Sequence, residues 1–131
     1  MNFTDSITKM KMTDELALLI ECLQAGLNGN QVTAESAKSV SFNWDQFINL
    51  ATKHCVINQV TNEIQHITSM AIPPFALTKL RQLTLANAMR MLHLTGELSN
   101  LQQKAMKINL PILFLKGPLL GIKLYGDPGL R

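Results

Sequence analysis

Aromatic residues are scarce in this chain of 131 residues: one Trp, one Tyr and five Phe make up 5% of the sequence. Together with only seven glycines, that argues against a β-sandwich, which is built from many short aromatic and β-branched strands joined by glycine-rich turns. Cysteine is equally sparse. Cys22 and Cys55 are too few for the disulfide framework of a small secreted domain, and each lies within an apolar helical pattern where a thiol behaves as a small hydrophobe, which suits a reduced, cytoplasmic setting. No uncharged run reaches the eighteen or so residues that a membrane span needs, and Asp14, Glu15 and Glu21 break the apolar stretch near the start that superficially resembles a signal peptide. Internal repeats and low-complexity tracts are absent, as are Gly-x-Ser-x-Gly, the Walker loop and Gly-x-Gly-x-x-Gly, so the hydrolase, P-loop and dinucleotide classes lack their defining residues.

What is present is apolar and helical. Hydrophobic residues make up 47% and charged residues 16%, enough for one compact unit with a core and incompatible with disorder. Thr13 suits an N-cap with Asp14 and Glu15 in the first turn, and Leu16, Leu19, Ile20, Leu23 and Leu27 recur at helical spacing before Asn28-Gly29-Asn30 supplies a stop. A polar connection over 31–41 holds at most one helical turn. Asn43 caps a second helix whose shared face is Trp44, Phe47, Ile48 and Ala51, and after a pause at His54-Cys55 a third stripe, Ile57, Val60, Ile64 and Ile67, ends near residue 68 or 69.

Pro73-Pro74 forbids helix before it and suits the first turn of a new one. From 75 to about 107 there is no proline, and Leu77, Leu80, Leu83, Asn87, Met91, Leu94, Leu98, Leu101 and Met106 hold near-heptad spacing. The pattern predicts one helix about 50 Å long, or two meeting near Gly96. Leu85, Ala88, Met89 and Leu92 add a second apolar face, so the helix is expected at the centre with the others packed across it. Asn109 then marks a turn into 110–115, a continuous apolar run that fits a buried strand. The predicted fold class is mainly α: a multi-helix bundle around one long helix, followed by the first strand and a short helix of an α/β domain.

Charge divides the chain. Residues 1–69 carry four Lys/Arg against seven Asp/Glu, net −3, whereas 70–131 carry eight against two, net +6. A basic half suits phosphates of a nucleotide or nucleic acid, and equally a solvated helix face. His54 and Cys55, adjacent on a helix, point about 100° apart and do not chelate, while His66 and His93 lie on separate stretches, so packed or capping histidines are expected and no metal ligand is assigned. Seven methionines suit a soft partner-binding groove, but Met89 and Met91 lie on a helix that already needs core contacts, so gap-filling is their expected role. Lys116-Gly117 differs: an apolar run ends in an ammonium group and a glycine, and Pro118 opens a short helix to Tyr125, so backbone amides, a helix N-terminus and a cation meet in an anion site in outline. The same spacing also suits an ordinary strand-to-helix turn with a solvated lysine.

These residues carry a resemblance. Leu113-Phe114-Leu115-Lys116-Gly117-Pro118, followed by Leu124-Tyr125-Gly126-Asp127-Pro128-Gly129-Leu130-Arg131, resembles the signature of the uncharacterised nucleotidyltransferase family in the polymerase-beta-like superfamily. Upstream, Trp44 to Ala51 leading to His54, Leu80-Arg81, and Asn87-Ala88-Met89-Arg90 are similar as well.

The resemblance implies transfer of a nucleotidyl group from an NTP to an acceptor that the sequence does not identify. Two Mg²⁺ ions would assist, held by an Asp-x-Asp pair that the family places just after the Asp-Pro-Gly-Leu-Arg segment. It implies that Lys116 and Gly117 contact nucleotide phosphates and that Arg131 approaches them or braces the next strand. Asp127, in a Gly-Asp-Pro-Gly turn, is expected to cap local backbone rather than bind metal.

On this reading residues 1–108 form a helical N-terminal domain, and 109–131 open a catalytic domain cut short before its carboxylates. The chain alone would then be inactive, with no catalytic or metal-binding residues of its own and no tightly bound NTP or Mg²⁺. An unpaired strand at 110–115 would pair with another copy in a homo-oligomer, borrow an edge or pack as something other than a strand. The competing reading is a non-enzymatic helical interaction domain whose basic half binds a protein partner or nucleic acid; no membrane partner is expected.

Overall fold

Local rules written at the helix ends set where each helix starts and stops. The structure, a computed structural model, describes residues 12–115 and 117–126. It contains α1 (Asp14–Asn28), a 3₁₀ turn (Glu35–Lys38), α2 (Trp44–Lys53), α3 (Ile57–Ile64), α4 (Pro74–Lys107) and α5 (Pro118–Tyr125). Thr13 Oγ1 accepts from the Leu16 amide and Asn43 Oδ1 from the Gln46 amide, so both predicted N-caps form. Gly29 closes α1 in the left-handed region, its N–H donating to the Ala25 carbonyl. The ends of α2 and α4 share one design. Cys55 and Asn109 take φ of 57° and 54°, and the next amides, Val56 and Leu110, donate back to the Ala51 and Ala105 carbonyls in Schellman fashion.

The core is made by α1, α2, α3 and the first turns of α4. Leu18, Cys22, Phe47, Ile48, Val60, Ile64 and Leu80 are its largest fully enclosed side chains. Phe42, Trp44 and Phe47 form an aromatic cluster within it, with centroids 4.9 Å apart for Phe42–Trp44 and 5.7 Å for Trp44–Phe47, both edge-to-face. The face predicted for α2, Trp44, Phe47, Ile48 and Ala51, is the buried face. That of α1 is turned from its prediction: Leu18, Leu19, Cys22 and Ala25 are buried, whereas Ile20 and Leu27 are exposed. The smaller Cys22 and Ala25 let α1 lie close to its neighbours, which the larger leucines would prevent. α3 ends at Ile64 rather than near 68, and Ile67 packs on the core from the turn beyond it.

Polar ties hold these helices in register. Glu15, only 6% exposed, accepts from the Asn43 amide at 2.7 Å, linking the first turn of α1 to the cap of α2. Replacing it by Ala strands that amide, and the expected loss is about 1–3 kcal/mol. Glu15→Gln, which keeps an acceptor, should lose less. Urea unfolding of the two variants decides it, and equal losses would show that the bond contributes nothing. Glu21 accepts from the Thr33 amide and hydroxyl and from the Ala34 amide. It thereby holds Ala34 at φ 57°, a left-handed conformation that a non-glycine residue adopts only when surrounding contacts fix it.

Two expectations are corrected. The long helix is continuous through Gly96, but it is not the centre of the bundle; α1 is, touching α2, α3 and the 3₁₀ turn. Only the start of α4 packs there, through Ala76 and Leu80, with a polar tie from Thr84 Oγ1 to Thr61 Oγ1 at 3.0 Å. From Leu85 onward much of its apolar surface is exposed, until α5 folds back on it. The second correction concerns 110–115, which is not a strand, and no strand exists among the described residues. Strand geometry requires a neighbour for its amides and carbonyls, and none of the described residues supplies one. The segment is an irregular apolar stretch with Leu110, Leu113 and Leu115 well exposed, so it is not a strand and is not packed as the non-strand alternative expected.

Candidate functional site

The segment singled out by the sequence leaves α4 through the Asn109 turn, runs as an irregular chain over 111–115 and enters α5. Gly117 is the N-cap of α5, with φ 89° and ψ −154°. No heavy atom lies within 4 Å of where its Cβ would stand, so glycine is required by backbone conformation and not by crowding. Pro118 occupies the first turn, where its missing N–H costs nothing. The Leu120 and Gly121 amides both donate to the Gly117 carbonyl at 3.1 and 3.2 Å, and no side chain caps the helix. At the far end Gly126, φ 72°, closes α5 in the left-handed region; the rest of the turn expected over 126–129 lies outside the described residues. Lys116 and Arg131, the two cations assigned to phosphate, lie outside the described residues, as does Asp127, so the structure brings only Gly117 of the three site residues into view.

The other candidates stay apart. His54 caps the C-terminus of α2 and is exposed; Cys55 beside it is exposed, while Cys22 is enclosed in the core. Among the described residues no three of His, Cys, Asp and Glu come together in a way that would hold a metal ion. Burial, and then the charges of Glu21 and Glu63, push the Cys22 thiol up to about 12, so it is protonated and inert as a nucleophile at neutral pH.

One feature escaped the sequence reading. A cleft of about 600 Å³ opens between the loop after α1 and the loop after α3, lined by Thr33, Glu35, Glu63, His66, Ile67 and Ser69 among others. Ser69 Oγ donates to the Thr33 carbonyl at 2.9 Å and closes one side. No motif announces it, because its two walls come from segments far apart in the chain, one ending at Glu35 and the other beginning at Glu63. Its Glu35 and Glu63 carboxylates make it a poor host for a polyphosphate.

The fold is thus a helical bundle from which a long helix projects and returns through a glycine-only turn into a short helix. The family model described as uncharacterised nucleotidyltransferase matches residues 40–131, and the chain belongs to that family. No curated protein and no solved structure gave a match. Among the described residues no helix is long and apolar enough to cross a membrane.

Proposed function

We propose that this chain supplies the helical platform and the nucleotide-side turn of a nucleotidyltransferase, an enzyme moving a nucleotidyl group from an NTP to an acceptor. The observation that carries this reading is the family match over 40–131, which runs through a turn that only glycine tolerates at position 117. On this proposal residues 1–108 are the platform and 109–131 open the catalytic unit. The Gly117 amide and the start of α5 face the phosphates, and Lys116 and Arg131 supply positive charge to them. Free Cys22 and Cys55 agree with a reducing, cytoplasmic location.

The residues present do not fit the two Mg²⁺ ions that the family implies. The sequence has no Asp-x-Asp pair, and no set of three ligands converges among the described residues. Nucleotidyl transfer by these 131 residues alone is therefore not expected, and no step is assigned to a metal here. Nucleotide binding should be weak but directional. An azido-ATP photolabel should modify the wild-type chain, and Lys116→Ala and Arg131→Ala should each lower labelling several-fold. Labelling of both variants at the wild-type level would overturn the site. Transfer from labelled NTP by the chain with Mg²⁺ would overturn the inactivity.

The exposed apolar segment at 110–115 supports pairing with a second copy, which sedimentation of the chain tests directly.

A further inference from the structure

The outer face of α4 carries large apolar side chains that none of the described residues covers. Leu85, Met89 and Leu92 are 62%, 65% and 74% exposed, and Ala88 lies between them, also exposed. At about 100° per residue they form one stripe, turned roughly 130° from the buried Leu80 and Met91. Single exposed leucines are ordinary on a protein surface; a contiguous stripe at i, i+4 and i+7 is the pattern by which one helix receives another. Gly96 continues it one turn further on. In mid-helix a glycine is unfavourable by about 1 kcal/mol, and here no atom lies within 4 Å of its Cβ position, so another backbone has room to approach.

Charge selects the occupant. Between Glu63 and Glu97 the chain has no acidic residue, and exposed Arg81 lies one turn before Leu85 at the edge of the stripe. We infer that this face docks an amphipathic helix of a partner protein whose apolar stripe is flanked by acidic residues. A second copy of α4 would bring the same cation to the interface without acids to meet it, except at Glu97. Nucleic acid gains nothing from Leu85, Met89 and Leu92, and the stripe has no aromatic ring on which a base would stack. The inference does not depend on nucleotide chemistry at Gly117 and stands or falls separately from it.

The test uses the whole chain and two synthetic amphipathic helices of about five turns each, alike in their leucine stripe but flanked by Glu in one and by Lys in the other. The Glu-flanked peptide should bind with a Kd on the order of 10 µM, as expected of a small transient interface, and the Lys-flanked one at least tenfold more weakly. Met89→Glu should lose at least tenfold in affinity for the Glu-flanked peptide. Because Met89 is exposed, helicity by circular dichroism should not change. Arg81→Glu should reduce the preference for the Glu-flanked peptide at least several-fold. Equal binding of both peptides, binding insensitive to Met89→Glu, a dimer of the chain alone that Met89→Glu dissolves, or a short RNA displaced by that substitution would each overturn the inference.

Discussion

Phe47→Ala is expected to cost about 3–5 kcal/mol, most of the margin by which a domain of this size is stable. The ring is fully enclosed on α2 and packs edge-to-face on Trp44 at 5.7 Å and at a tilt on Phe42 at 6.0 Å. Removing it deletes the apolar transfer of a whole ring together with the aromatic contacts, and it leaves a void among helices whose caps fix their positions. With so few aromatics in the chain, no other large ring stands ready to fill it. The urea midpoint should fall by roughly 2 M at unchanged slope. Phe47→Leu, which refills part of the void, should recover more than half of the loss. Phe75→Ala serves as the control, because Phe75 is 53% exposed on the first turn of α4 and its change should stay within about 0.5 kcal/mol. A loss below about 1 kcal/mol for Phe47→Ala would mean that the aromatic cluster does not organise the core.

The same helix shows what can be read from sequence. Asn43, Trp44, Phe47, Ile48 and Ala51 were legible because a cap and a 3.6-residue period are both local, and each residue took its expected place. α1 was harder. Its leucines are spread around the helix, so periodicity found a face, but the neighbours chose another, through Leu18, Cys22 and Ala25. The strand expected at 110–115 failed for a different reason: an apolar run states that a segment wants burial, while strand pairing depends on a partner located elsewhere. The long helix was correct in extent and wrong in place, since two apolar faces show that a helix seeks partners without showing which are present.

For the site, a glycine flanked by lysine and proline was legible from turn chemistry, and the positive φ at Gly117 agrees with it. The cleft at Thr33, Glu63 and His66 was not legible, because only tertiary contacts join its walls. The core also extends beyond the family match. Residues 40–131 include α2, α3 and α4, yet the face these helices share is filled by Leu18, Leu19 and Cys22 of α1, and the cap of α2 is itself held by Glu15. Residues 14–28 are therefore part of the same folding unit and not an appendage to it.

Stability should fall in alkali because of Cys22. The thiol is fully enclosed, and burial, then Glu21 and Glu63, push its pKa from 9.0 up to about 12. Below pH 9 the thiol is protonated in both folded and unfolded chains, and the whole contribution is present. Between pH 9 and 12 the unfolded chain releases the proton while the folded one retains it, so unfolding becomes easier by about 1.4 kcal/mol per pH unit, reaching about 4 kcal/mol near the folded value. Lysine and tyrosine titrate in the same window, so the informative quantity is the difference between variants. Urea midpoints measured from pH 8 to 11 should decline less steeply for Cys22→Ala than for wild type. Iodoacetamide should modify Cys55 in the native chain and Cys22 only after unfolding. If Cys22→Ala and wild type decline in parallel, the thiol is not the proton that the fold retains, and the packing of α1 against Glu63 on α3 would need a different account.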